Sequence, residues 1–166
     1  ANTALFVLQG TPSKRWVTPA EGALATSNPA DFETEMDKLL DEVKFNEIDM
    51  IVLPGGMPGT KNLEACAPLM VQVDNFYNSG KYVAAICAAP SILGHRGILK
   101  GRNACSFPEF ESQLEGANVS RNSVEISDKV ITSRGMGCAI DFSLAIISKL
   151  CGEAKATELA KAIIYQ

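Results

Sequence analysis

Val83-Ala84-Ala85-Ile86-Cys87-Ala88-Ala89-Pro90 is the stretch on which the fold turns. Tyr82–Ile86 is apolar and of strand length, and it stops at a cysteine followed only by small residues. Residues 88–99 then read as a helix with Pro90 in its first turn, where a proline costs little. A strand running straight into a helix with a nucleophile at the junction is a nucleophile elbow, here in its thiol form. The tight turn requires small neighbours and projects Cys87 above the C-terminal ends of the strands, where ligands bind in open α/β sheets. Facing a helix N-terminus also favours the thiolate, through the dipole and the unpaired N–H groups.

Two further turns share this logic. Residues 49–53 (DMIVL) form a buried-strand pattern stopped by Pro54-Gly55-Gly56. Glycines here let the backbone approach a bound group, and the N–H of Gly56 with that of Ala88 could form an oxyanion hole beside Cys87. Ile131-Thr132-Ser133-Arg134-Gly135-Met136-Gly137 ends a third strand, and Arg134 could hold a carboxylate of substrate or protein by bidentate bonds.

The remaining chain alternates short apolar runs with amphipathic stretches, the rhythm of a mostly parallel sheet covered by helices. Residues 4–8 read as a strand ending near Gly10. Thr18-Pro19-Ala20-Glu21 has the form of a capping box opening a short helix, and residues 31–43 read as a helix with an acidic, solvated outer face. Leu69, Val73, Phe76 and Tyr77 mark another helix that ends near Gly80. Residues 119–133 suggest a hairpin or two edge strands, and residues 139–150 and 153–164 are closing helices parted at Gly152. No repeat or linker breaks the chain, so residues 1–166 are expected to form a single domain.

Bulk properties narrow the function. The 166 residues are 46% hydrophobic and 20% charged, as in an ordinary soluble globular protein. A formal charge of −4 gives no basic footprint for nucleic acid. No apolar run is long enough to span a bilayer, and residues 1–10 carry no secretory pattern. Cys66, Cys87, Cys105, Cys138 and Cys151 form no CxxC pair, and a single histidine, His95, cannot complete a Cys/His zinc set, so neither metal nor cofactor is expected. An odd number of widely spaced cysteines points to a reducing, cytoplasmic location. Cys66, Cys138 and Cys151 read as packing residues. Cys105, on an expected strand, is a packing residue with a possible secondary redox role. Trp16 and the Lys14-Arg15 pair are candidates for covering the site or a dimer contact.

The motifs DMIVLPGGMPG (49–59), YVAAICAAP (82–90), SFPEFE (106–111) and ITSRGMG (131–137) together resemble the DJ-1/ThiJ/PfpI superfamily, most of all its YajL-like bacterial branch. The resemblance runs from about residue 46 to the C-terminus. It implies a flavodoxin-like three-layer α/β sandwich with a mostly parallel sheet, and a homodimer. It carries Cys87 over as the reactive cysteine, with Gly56 and Ala88 as oxyanion donors and Gly55, Phe107 and Arg134 in support.

Residues 1–45 depart from the family pattern. In one register residues 4–10 are the family's second strand, and the first strand–helix unit is missing from this chain. In the other they are the first strand, and the second is lost or reshaped into residues 11–29. Neither register supplies the glutamate that in the family hydrogen-bonds the cysteine; Glu21 is the nearest candidate and is better explained by the capping box. Some relatives have a histidine before the proline that aligns with Pro108, where this chain has Phe107. His95 lies about 12 Å from Cys87 along a helix axis, which makes it a poor base. The implied activity is cysteine-dependent glyoxalase or deglycase chemistry on methylglyoxal or glycation adducts in stress protection. The alternative is an oxidative-stress sensor or redox-linked chaperone acting through oxidation of Cys87. Peptidase activity is disfavoured by the absent histidine.

Overall fold

A computed structural model describes residues 4–6 and 40–165. Glu21, Trp16, the Lys14-Arg15 pair, the capping box and most of the expected helix over 31–43 lie outside the described residues; of that helix, only a 3₁₀ turn at Leu40–Glu42 is described.

The central sheet contains β1 (Ala4–Phe6), β2 (Met50–Leu53), β3 (Tyr82–Ile86), β6 (Val124–Ser127) and β7 (Val130–Ser133), in the order β1-β2-β3-β7-β6. The first four in that order run parallel, and β6 closes the row antiparallel to β7. β4 (Asn103–Ala104) and β5 (Asn118–Val119) make a small separate parallel pair. β1 lies directly beside β2, with Leu5 opposite Ile51, so no slot is left open between them.

The strands are apolar on both sides because both sides are covered, as parallel sheets require. Ile51, Leu53, Val83 and Ala85 point into one core with Leu69, Val73 and Phe76 of α2 (Ala67–Asn78) and Ile92 and Leu93 of α3 (Pro90–His95). The alternate residues Met50, Val52, Ala84 and Ile131 meet Phe142 and Ile146 of α4 (Ala139–Cys151) on the opposite face. α5 (Glu153–Ala162) packs on α4. Helices on both faces of a mostly parallel sheet make the three-layer sandwich expected from the sequence.

Several boundaries differ from the expectation. α1 (Gly59–Ala65) opens directly after Pro58, in a stretch to which the sequence reading assigned no element. β6 and β7 form a hairpin around Asp128 (φ 60°), but β7 is not an edge strand, because β3 pairs with its other side. The elbow helix spans only Pro90–His95, since Cys87 to Ala89 form the turn itself.

Gly94 shows how tightly α3 is seated. A Cβ there would lie 2.2 Å from the Gln113 carbonyl oxygen and 2.9 Å from the Leu114 Cα, both backbone atoms. Helix propensity favours Ala over Gly by about 1 kcal/mol, but overpacking costs about 1–3 kcal/mol and backbone cannot swing aside. The clash is expected to win. Gly94→Ala should therefore lower Tm by several degrees in a thermal melt, and a raised Tm would show that residues 113–115 yield easily.

Candidate functional site

The C-terminal ends of β2, β3 and β7 converge on Cys87. This residue follows the last residue of β3 and has φ 64°, a left-handed conformation that non-glycine residues rarely adopt. Such strain persists only where the surroundings over-determine it. Here both backbone groups of Cys87 are tied: its N–H donates to the Ser133 carbonyl at 2.9 Å, and its carbonyl accepts the Phe107 N–H at 2.9 Å. The turn closes with Ala89 N–H donating to the Ile86 carbonyl at 3.2 Å, and the Ser91 hydroxyl donates to the Ala88 carbonyl at 2.7 Å. The Cys87 side chain is half-buried.

The turn after β2 presses against this elbow. A Cβ on Gly55 would stand 2.6 Å from the Cys87 Cβ, 2.6 Å from the Ile86 carbonyl oxygen and 2.8 Å from the Ala88 nitrogen. Only a hydrogen fits there. Gly56 follows at φ 93°, and its carbonyl accepts from the N–H and hydroxyl of Thr60. Among the described residues, neither the Gly56 nor the Ala88 N–H donates to a backbone carbonyl. Gly55, Gly56, Cys87 and Ala88 are thus brought to one corner.

Phe107 belongs to the same corner through its backbone, and its exposed ring is the nearest group to Gly135, 3.6 Å from a Cβ built there. Arg134 follows Ser133 directly. Its Nη2 donates to the Glu111 carboxylate at 3.3 Å, while its buried Nε has no partner among the described residues. Arg134 thus holds a protein carboxylate, Glu111, by a single contact and not by a bidentate fork. Pro108–Gln113, the 3₁₀ segment that carries Glu111, starts immediately after Phe107.

His95 ends α3, and its Nδ1 stands 2.6 Å from Glu64. Beside it, Arg96 makes a two-point contact with Asp74, through Nε at 2.7 Å and through Nη2. Both residues fasten α3 to the preceding helices, a structural task. Among the described residues, no carboxylate hydrogen-bonds the Cys87 sulfur, and no cluster of three or more His, Cys, Asp or Glu side chains is placed to hold a metal.

All five cysteines are free thiols, with Cys151 exposed and Cys66 and Cys138 half-buried. Cys105 lies just past β4 and is fully buried. Its N–H donates to the Thr132 hydroxyl at 3.0 Å, and its thiol donates to the Thr132 carbonyl at 3.3 Å. Burial pushes the Cys105 thiol up to about 11, against the opposing pull of the Thr132 hydrogen bond. Burial and a raised thiol pKa both favour a packing role for Cys105, as redox chemistry needs access and ionisation.

A pH dependence follows. The unfolded thiol ionises near its ordinary value of 9.0, whereas the folded one holds its proton to about 11. The native state therefore binds more protons in that window, and stability falls as pH rises from 9 to 11. Cys105→Ser, which keeps a hydroxyl donor that does not titrate, should flatten this fall by up to about 2 kcal/mol in denaturant titrations. Parallel curves for the two chains would contradict it.

Sequence reasoning found the elbow, both glycine turns and Arg134. It did not assign Thr132, Ser133 or Glu111, whose contacts with Cys105, Cys87 and Arg134 each join residues 23 or more apart in sequence. Ser133 and Thr132 stood inside the ITSRGMG motif, but nothing local marks a strand carbonyl as the anchor of a distant turn.

The DJ-1/PfpI family pattern matches residues 14–149. Protein DJ-1 homolog B of Arabidopsis thaliana is 37% identical over 132 residues, which cover 78% of this chain and 30% of that protein. The glutathione-independent glyoxalase DJR-1.2 of Caenorhabditis elegans is 36% identical over 126 residues, covering 75% of this chain and 67% of that protein. The structure of oxidized Toxoplasma gondii DJ-1 superposes with a TM-score of 0.73 at 36% identity, covering 78% of this chain and 71% of the other. The chain thus spans under a third of the length of the Arabidopsis relative. These matches do not single out the YajL-like branch. A thiol elbow pressed by a Pro-Gly-Gly turn, in a sandwich that superposes on DJ-1 and in a sequence matched over residues 14–149, establishes that this chain belongs to the DJ-1/PfpI family.

Proposed function

We propose that this chain is a cysteine-dependent enzyme of the glyoxalase/deglycase type, acting on methylglyoxal or glycation adducts with Cys87 as nucleophile. The observation that carries the reading is the Cys87 elbow itself, at φ 64° with both backbone groups tied and with Gly55 packed against it. A relative named as a glutathione-independent glyoxalase supports the substrate class.

The Cys87 sulfur, as thiolate, adds to the aldehyde carbon of methylglyoxal, and the carbonyl π pair moves to oxygen. The N–H groups of Gly56 and Ala88 are the donors for that developing alkoxide. One proton then passes from the former aldehyde carbon to the neighbouring ketone carbon through an enediol, which turns the hemithioacetal into a lactoyl thioester. Water cleaves the thioester, releasing lactate and restoring the thiol. The sum is methylglyoxal plus water to lactate, with no outside oxidant or reductant. The proton transfer falls to a carboxylate, a water or the thiolate, and with no described carboxylate on the sulfur this step is expected to limit turnover. Phe107 and Gly55 shape the elbow, and Arg134 fixes the segment beside it through Glu111. A homodimer in a reducing cytoplasm belongs to the same reading; the five free thiols bear on the reducing compartment alone. Lactate measured from methylglyoxal without glutathione tests the activity; production no faster than in buffer would overturn it.

A second reading has its own support in the half-exposure of Cys87 and in a structural neighbour described as oxidized. In it Cys87 senses peroxide: the sulfur attacks the O–O bond, gives sulfenic acid and water, and with a second peroxide gives sulfinic acid. Intact-mass analysis with peptide mapping after peroxide treatment checks it, and oxygen added elsewhere first would count against it.

A further inference from the structure

The strained elbow is held from behind by a latch that the catalytic reading does not use. Thr132 sits in β7, opposite Ala85 of β3, and is 1% exposed. It makes three contacts with Cys105: its hydroxyl accepts the Cys105 N–H at 3.0 Å and lies 3.8 Å from the Cys105 sulfur, and its carbonyl accepts the Cys105 thiol at 3.3 Å. Two residues on, the Phe107 N–H holds the Cys87 carbonyl at 2.9 Å. One residue on from Thr132, the Ser133 carbonyl takes the Cys87 N–H at 2.9 Å, and the Ser133 hydroxyl donates to the Ser123 carbonyl at 2.7 Å. Both anchors of the Cys87 peptide groups therefore sit on segments that Thr132 and Cys105 fasten together.

We propose that Thr132 is a positioning residue for Cys87, acting through Cys105 and the Phe107 segment. The proposal rests on the reading of Cys87 as the reactive thiol. The physical reason is that a non-glycine residue in the left-handed region relaxes unless its neighbours forbid it. Cys87 has two such restraints, and the one at its carbonyl is only as rigid as residues 105–107. Burial excludes water from the Thr132 hydroxyl, so loss of that acceptor leaves the Cys105 N–H without a partner and the segment free to shift. A displacement of about 1 Å at a reacting group can lower a rate by roughly 100-fold. Cys105 accordingly serves the elbow as a thiol donor while remaining chemically silent.

The test follows modification of Cys87 itself, read as the rate of iodoacetamide labelling by peptide mass, alongside Tm and the kcat and KM for methylglyoxal. Thr132→Val removes the hydroxyl at nearly constant shape and should slow Cys87 labelling about tenfold or more, with a similar fall in kcat and an unchanged KM. Thr132→Ser restores the acceptor and should return both rates to within about twofold of the parent. Cys105→Ala removes only the contacts of the thiol, keeps the N–H bond to the Thr132 hydroxyl and should fall between them, which keeps the proposal testable if Thr132→Val does not fold. A lowered Tm in Thr132→Val or Cys105→Ala with Cys87 labelled at the parent rate would overturn the proposal, as would Thr132→Ser behaving like Thr132→Val. Labelling is independent of turnover, so a chain that makes no lactate but shows this pattern sinks the glyoxalase reading and leaves the latch standing.

Discussion

Cys87→Ser is expected to abolish lactate formation from methylglyoxal, with a fall of about 10³-fold or more, equivalent to ~4 kcal/mol of transition-state stabilisation. A serine hydroxyl fits the same turn, so fold and Tm should hold within about a degree or two. What changes is the nucleophile: an alcohol has almost no anion at neutral pH and no general base beside it among the described residues. The proposed oxyanion donors, the Gly56 and Ala88 N–H groups, are untouched by this substitution, which is why a residual rate above buffer is compatible with the reading while full activity is not. Comparing Cys87→Ser with Cys105→Ser separates the two thiols, since the latter keeps its donor and should retain most activity.

Gly55→Ala is the second large effect. The added methyl meets the Cys87 Cβ, the Ile86 oxygen and the Ala88 nitrogen at 2.6, 2.6 and 2.8 Å, all of them parts of the elbow without a flexible end. Relief requires moving either the β2 turn or the elbow. Overpacking of this kind costs about 1–3 kcal/mol. The larger consequence is chemical: the shift separates Cys87 from the N–H groups of Gly56 and Ala88, and a loss of about 100-fold in kcat is expected. Thermal melts and lactate rates on the same preparation distinguish the two components. Unchanged activity would show that the two turns need not touch.

The sequence displayed the elements in which local pattern and burial agree. β2 and β3 are uninterrupted apolar runs because helices cover both faces, and each stops at residues whose chemistry announces a turn. α1 was not legible, because Pro58 and Gly59 resemble a loop until packing of Leu63 against the core outweighs them. The two-residue strands β4 and β5 are too short to leave a period. α3 was read too long at both ends: Cys87 to Ala89 belong to the turn, and Gly97, at φ 71°, lies beyond its close. The site was legible as far as its residues lie within turns. The contacts that hold it, Cys87 to Ser133, Cys87 to Phe107 and Cys105 to Thr132, join segments 20 or more residues apart and exist only once the strands have aligned.

Site-resolved labelling of the folded chain tests the reactivity of Cys87 most directly. With a limiting amount of iodoacetamide at neutral pH, each of the five cysteines is quantified by peptide mass. Exposure alone ranks Cys151 first, because it is the most open of the five. Cys87 is expected to be modified first although half-buried, with Cys105 last. Modification of Cys151 ahead of Cys87 would contradict it.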